Sequence, residues 1–310
     1  MDNMILVPSV AGTEWFNNIF PDRSIAEIPV AGRRWVDYAV ECAQHFDISF
    51  IEVLDWRFSP PLAEHFGDLT RIGRPVFYMK REGTLPSGLD DLYGLDTPLT
   101  QNIEDGLVVV WGPCLCGHSP REMALQPVND ADCANTPPGV YRRIGGRWMR
   151  TTPHGLVIRN TKSWLRMNIA VLNSPDLFTL PGYSADKGVH IGRNVVMEYG
   201  TKIIGSALLN NNCWCARNVE IDHDVIVGSG SFVGEGTHLS RTVICDNTYV
   251  GTDLELIDKI VTGPRIFDAV SGTWIDVEEA GLAQHIEEFG WHPFRKLWKF
   301  LQGASHGRRS

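Results

Sequence analysis

The second half of the chain runs on a period of six. From Val189 onward, Ile191, Met197, Ile203, Leu209, Cys215, Ile221, Val227, Val233, Leu239 and Cys245 recur every sixth residue. Two positions before each stands a small or β-branched residue: Val189, Val195, Thr201, Ala207, Cys213, Val219, Val225, Ser231, Thr237 and Val243. Glycine follows the aliphatic position at Gly192, Gly228 and Gly234. This pattern is the signature of a hexapeptide β-helix, in which each hexad forms one side of a triangular coil and the aliphatic side chains stack inside. Ten hexads supply a little over three coils. So short a prism has open ends that call for a cap or an oligomeric partner. Trp214 follows Cys213 and points outward, as at a subunit interface or at packing against the N-terminal part or the tail.

The first half follows another rule. Residues 4–8, 48–54, 75–79 and 107–111 are short apolar runs, as expected for strands covered on both faces. Between the first two, residues 34–46 place Trp35, Tyr38, Ala39 and Cys42 at helical spacing, and 162–172 return to a helical pattern. Strands alternating with helices predict a parallel sheet whose ligands bind beyond the C-terminal strand ends. The turns after Pro8 and Trp111 are therefore the ones to watch. Residues 113–155, rich in Gly, Pro, Asn and Asp, predict loops and short strands.

Composition narrows the function. The formal charge is −9, which speaks against a nucleic-acid partner. The stretch 291–310 reverses that sign, with Arg295, Lys296, Lys299, Arg308 and Arg309 and no acid. Seven cysteines at irregular spacing fit no disulfide framework and predict a reducing, cytoplasmic setting. No signal peptide and no apolar stretch long enough for a membrane span are read. Cys114, Cys116 and His118 lack zinc-site spacing and are expected to line a strand end, so no metal is assigned.

ILVPSVAGTEW (5–15) and IPVAGRRWVDY (28–38), ahead of a hexapeptide β-helix, resemble the nucleoside-diphosphate-sugar pyrophosphorylases. Their first strand runs into A-A-G-x-G-T-R-L, and a later segment reads L-P-V-A-G-K-P-L-I-D-Y. The resemblance implies a nucleotidyltransferase-type α/β domain, a left-handed β-helix closed by residues 248–268, a sugar nucleotide or sugar phosphate as ligand, and Mg²⁺ where nucleotidyl transfer is retained. It also marks Ser9, Val10, Ala11, Gly12, Thr13 and Glu14 as a nucleotide-binding loop, degenerate here: Val10 stands for a glycine and Glu14 for the arginine. Glycine lets backbone N–H groups approach a phosphate, and an acid beside phosphate costs several kcal/mol. Ile25 aligns with the family's lysine, and Pro113 and Arg166 with its two metal-binding aspartates. Arg33, Arg34 or Lys80 are the cations available to replace the lost charge.

The hexapeptide half offers other chemistry. Glu220–Gly228 looks like the V-x-H-D-x-x-I-G stretch of sugar acetyltransferases, with His223 as general base, Asp222 or Asp224 orienting its ring, and acyl-CoA as donor. Residues 272–279 predict a turn and a short strand that caps the prism. Residues 291–302 are amphipathic, with Phe294, Leu297, Trp298 and Leu301 on one face, and fit either a cap on the prism or a peripheral contact with the inner membrane face. The sequence thus predicts an α/β domain over 1–185, a β-helix over 186–275 and a helical tail over 276–310. The favoured role is a catalytically degenerate, sugar-nucleotide-binding or regulatory relative in surface-polysaccharide biosynthesis, homo-oligomeric with a trimer favoured, or bound to a partner enzyme. Active pyrophosphorylase and acyltransferase are the alternatives.

Overall fold

The computed structural model describes residues 2–46, 48–57, 59–67, 76–101, 103–115, 117, 123–152, 156–186, 188–279 and 281–286. The amphipathic stretch 291–302 lies outside them, as do Cys116 and His118. The chain is a mixed α/β protein that divides into two compact units, residues 1–179 and 180–310.

The first unit is built on a seven-stranded sheet. Its strands are β1 (Asp2–Val7), β2 (Ile48–Asp55), β3 (Val76–Lys80), β4 (Val108–Trp111), β5 (Ala124–Pro127), β6 (Gly139–Ile144) and β7 (Arg147–Thr152). They lie in the order β3-β2-β1-β4-β6-β7-β5. The first four are parallel, with Leu6 opposite both Val53 and Val110. The apolar runs of β1, β2 and β4 are continuous because both faces are largely covered, whereas the edge strand β3 leaves Phe77 exposed. The parallel order reverses between β1 and β4, and this switch point is where open α/β sheets take their ligands. Helix α1 (Trp35–His45) and helix α2 (Thr161–Leu172) follow the expected periodicity. Asn160 caps α2, which buries Trp164, Leu165, Met167, Asn168, Val171 and Leu172.

The segment expected to be loops and short strands instead contributes two full-length strands. β6 and β7 pair antiparallel and extend the same sheet beyond β4. Gly145 and Gly146, both left-handed at φ 57° and 75°, close them in a two-residue turn. Such a turn matches the twist of a hairpin, and only glycine takes both positions readily. Asp105 fixes it, its carboxylate accepting from the N–H of Gly145 at 2.8 Å and of Gly146 at 3.0 Å. The glycines read as loop were a hairpin signal.

In the second unit the chain visits three parallel sheets in rotation. Val189–Ile191, Ala207–Leu209, Val225–Val227, Val243–Ile244 and Lys259–Thr262 lie in one. Val196–Met197, Trp214–Cys215, Phe232–Val233 and Thr248–Val250 form the second, and Lys202–Ile203, Glu220–Ile221, His238–Ser240 and Glu255–Ile257 the third. Leu209, Cys215, Ile221, Val227, Val233 and Leu239 are fully buried in one core with Ala207, Cys213, Val219 and Val225. Burial pushes the Cys213 and Cys215 thiols up to about 12, so they behave as apolar filler. Met197, expected inside, is 44 % exposed, because it belongs to the first round of the repeat.

Cys245 is a second correction. The pairing advances by eighteen residues as far as Ile221↔Leu239, then by seventeen at Val227↔Ile244, Val233↔Val250 and Leu239↔Leu256. One residue is missing at the corner 240–242. Ile244, not Cys245, therefore joins the core, followed by Val250, Leu256 and Val261. The stretch 248–268, expected to leave the period, keeps it in the shifted phase as far as Leu256, and Val261 follows five residues later. The corner residues show the same shift. Left-handed backbone falls at Gly188, Asn194, Gly200, Asn212, Asn218, Asp224, Gly230 and Gly236, then at Arg241, Asn247, Asp253 and Asp258. Glycine, Asn and Asp tolerate this conformation; Arg241 does not belong to that set.

Buried hydroxyls tie successive rounds together. Ser231 Oγ donates to the Cys245 carbonyl at 2.9 Å and accepts from Thr248 N–H at 3.2 Å. Thr237 does the same between Gly251 and Leu254, and Thr242 between Leu256 and Lys259. The strand Thr273–Asp276, expected as part of a cap, pairs with Arg265–Asp268 at the edge of the first sheet.

Candidate functional site

The loop after β1 sits at the switch point of the first unit. Val10 is 1 % exposed and belongs to the core with Ile5, Val7, Leu89, Leu92, Trp111 and Tyr141. The Ala11 N–H donates to the Pro86 carbonyl at 3.2 Å, and the Thr13 N–H to the Val10 carbonyl at 3.1 Å. Thr13 Oγ1 donates to the same carbonyl at 2.7 Å. Ser9 is buried, with its hydroxyl on Asp55 at 3.0 Å. Gly12, at φ 89°, and Glu14 are exposed, and Glu14 opens the short 3₁₀ turn Glu14–Asn18. Across the crevice, a Cβ on Gly112 would lie 2.9 Å from Pro138 Cβ and 3.3 Å from Val10 Cγ2. Side chains fill the space between β1 and β4 at that point. Two of the amides that would cradle a phosphate are engaged within the loop's own neighbourhood.

The substituted positions follow suit. Ile25 is buried in a 3₁₀ turn capped by Ser24. Pro113 is buried, and its carbonyl accepts from Ile158 N–H at 2.9 Å. Arg166 stands on the exposed side of α2, away from the residues that the helix buries. Two of the candidate replacement cations are engaged, while Arg34 keeps a buried Nη1 with no hydrogen-bond partner among the described residues. Arg33 pairs with Glu41 at 2.5 Å and stacks over Tyr38, Lys80 pairs with Glu82 at 2.9 Å, and Arg34 lies half-buried in the hairpin strand Arg33–Arg34. A hard cation needs carboxylates, and Pro113 and Arg166 supply none, so these residues do not fit Mg²⁺. Among the described residues no group of three or more His, Cys, Asp and Glu could hold a metal. Cys114 is buried in the short strand Cys114–Leu115 that follows β4, and its carbonyl accepts from Trp35 Nε1 at 3.1 Å.

Asp55 escaped the sequence reading. It ends β2, is 0 % exposed, and gathers the surrounding loops. Its carboxylate accepts from the hydroxyls of Ser9, Ser24 and Tyr78, the last at 2.8 Å, and from Arg57 N–H at 3.0 Å. Burial raises its pKa above the carboxylate range, and these hydrogen bonds oppose the rise. The available signal was an acid closing an apolar strand run.

In the second unit, His223 lies at the corner where the round is about to lose a residue. Its Nδ1 is 2.9 Å from Asp222 Oδ2, and that oxygen also accepts from Ser240 Oγ at 3.3 Å. The bond to His223 holds the Asp222 carboxyl below its usual range. Asp224, the other candidate partner, turns away. It is a left-handed corner residue whose Oδ1 accepts from Ser206 Oγ at 2.7 Å. Asp222 is therefore the residue that orients the imidazole. A Cβ on Gly205 would fall 2.7 Å from His223 Cβ, so a glycine there makes room for the histidine. On the other side, Arg241 Nη1 is 3.2 Å from His223 Nε2 while Nε and Nη2 grip Asp258, both at 2.7 Å.

Trp214 packs on its own sheet. Its Nε1 donates to Glu198 at 3.1 Å, and Trp214, Phe232 and Tyr249 form a column, the last two stacked at 5.3 Å. Among the described residues no helix is long and apolar enough to cross a membrane.

No family model matches the chain, and no curated protein matches it. Among solved structures it is similar to UDP-glucose pyrophosphorylase complexed with UDP-glucose, at 18 % identity and a TM-score of 0.28. That match covers 36 % of this chain and 45 % of the other, so the chain spans less than half the length of that structure.

Proposed function

We propose that the protein is a pyrophosphorylase-like chain in which a nucleotidyltransferase-type domain (1–185) precedes a left-handed hexapeptide β-helix (186–275) and a tail (276–310), and that it works by binding rather than by nucleotidyl transfer. Its ligand is a sugar nucleotide or sugar phosphate, its state a homo-oligomer, and its setting cytoplasmic surface-polysaccharide metabolism. What carries the reading is the loop after β1: Ala11 and Thr13 direct their amides to protein carbonyls, and Val10 occupies the core. Glu14 adds a negative charge where phosphates call for a positive one. The rotation through three parallel sheets, returning after eighteen or seventeen residues, supports the β-helix. Thermal shift tests the reading, because any specific ligand raises the melting point by mass action. Sugar nucleotides are expected to shift it without added metal. A Mg²⁺-dependent shift with a nucleoside triphosphate, together with pyrophosphate exchange, would overturn it.

One observation favours a second activity, acyl transfer at His223. The Asp222–His223 pair has the geometry of an oriented general base. The imidazole would take the proton of an acceptor hydroxyl as its oxygen attacks the acyl-CoA carbonyl, and the C–S bond breaks with the thiol leaving protonated. Acetyl transfer from acetyl-CoA that disappears in His223→Ala is the expected result, and an unchanged rate in that variant would exclude it.

A further inference from the structure

Position 241 is anomalous three times over. It lies in the first corner of the repeat that is a residue short, between Ile221↔Leu239 and Ile226↔Val243, as Asp258 later falls five residues after Asp253. It is left-handed, at φ 44°, where every other such corner of the repeat carries Gly, Asn or Asp. A long side chain is strained there, and strain of this kind persists where the side chain itself is needed. That side chain reaches back to His223, whose carbonyl also accepts from the Arg241 N–H at 2.8 Å.

The bond has a direction. A guanidinium only donates, so His223 Nε2 is the acceptor and the ring proton sits on Nδ1, facing Asp222. Nε2 is the nitrogen that a general base held by Asp222 would use, and its lone pair is taken. Asp258 holds the guanidinium in place through two parallel bonds. The pair is reachable from solvent, with the His223 side chain 46 % and the Arg241 side chain 37 % exposed.

We propose that Arg241 is a latch on His223: it fixes the tautomer and occupies Nε2, so that base chemistry at this corner begins only when Arg241 swings off the imidazole. The catalytic side of this inference rests on the acyl-transfer reading; the latch itself does not. Arg241 is a positioning residue here, acting through His223 and touching no reacting atom.

The test separates the two. The full-length protein and its Arg241→Gly and Arg241→Gln variants are treated with diethyl pyrocarbonate, and modification of each histidine is followed by peptide mass spectrometry. Glycine suits the left-handed backbone, and glutamine keeps a long side chain without the charge, so at least one variant is expected to fold. Freed of Arg241, His223 should be modified about tenfold faster, the effect of losing one hydrogen bond to a charged group. His190 and His238 should keep their rates. Equal His223 rates in all three proteins would overturn the latch and leave Arg241 as a plain partner of Asp258. Acetyl transfer from acetyl-CoA is measured on the same samples. Faster modification with no acetyl transfer in any of them would keep the latch and sink the acyl-transfer reading; a faster turnover in both variants would support both.

Discussion

The loop after β1 and the corner that carries His223 are both short polar turns closing apolar strands, yet they direct their hydrogen-bonding groups in opposite ways. In the loop, the Ala11 and Thr13 amides and the Ser9 and Thr13 hydroxyls turn inward onto protein acceptors. At the corner, Asp222, His223, Arg241 and Asp258 bond to one another across successive rounds while staying partly in solvent. A group buried and satisfied has no capacity left for a ligand. A group satisfied by an exposed, movable neighbour can exchange that neighbour for one. The loop is therefore locked by its own bonds, whereas the corner has bonds it can exchange.

The comparison breaks most easily at Asp55. Replacing it with alanine strands the hydroxyls of Ser9, Ser24 and Tyr78 in a buried site. A loss of about 3–4 kcal/mol in urea denaturation is expected, the summed cost of leaving several buried donors without their shared acceptor. A loss below about 1 kcal/mol would mean that the loop is not locked, and the case against phosphate binding there would weaken with it.

Thr237 gives a smaller effect and sharpens the other side. Thr237→Val keeps the shape and removes the hydroxyl that joins Gly251 and Leu254, leaving both unmatched. About 1–2 kcal/mol should go in the same measurement. Arg241→Gly, only seventeen residues from Asp224 along the same corner row, should cost less than Thr237→Val. It relieves a left-handed side chain while losing a part-exposed ion pair, and each is worth on the order of 1 kcal/mol. If Arg241→Gly proves the more damaging, the arginine is there for stability.

What could be read in the sequence depended on repetition. The aliphatic row was visible because the same demand recurs every sixth residue, and a single missing residue at the corner was enough to hide its continuation through Ile244, Val250 and Leu256. The row Asn247, Asp253, Asp258 carried that shift in plain view, since those residue types mark left-handed corners. The same row distinguishes Asp224, a corner residue facing Ser206, from Asp222, which faces His223. In the first unit no repetition helps. Strands β1 to β4 were legible from their apolar runs, but an aspartate at the end of one looks like any turn residue until Ser9, Ser24 and Tyr78, far apart in the chain, are brought round it. Val10 was recognisable as a poor phosphate ligand; that it joins the core with Leu89 and Tyr141 depended on contacts that no local pattern encodes.

The smallest effect separates the two regions by pH. In the first unit, burial raises Asp55 and Glu52 above the ordinary carboxylate range. A folded pKa above the unfolded one supports folding fully below about pH 4, and that support fades as pH rises through the folded value. In the repeat, hydrogen bonds from His223, Arg241 and Lys259 hold Asp222, Asp258 and Asp268 below that range. Their support is complete above about pH 4 and is lost as pH falls further. Because these three are partly exposed, screening keeps the second effect small. Hydrogen exchange by mass spectrometry, corrected for intrinsic rates, should show β2 holding or gaining protection from about pH 7 down to pH 4.5 while the strands between 220 and 261 stay level, and the latter should loosen first below about pH 4. If β2 loosens first in acid, Asp55 is held as a charge by its four donors rather than destabilised by its burial, and the inward-turned loop would owe its stability to the same kind of bond as the exposed corner.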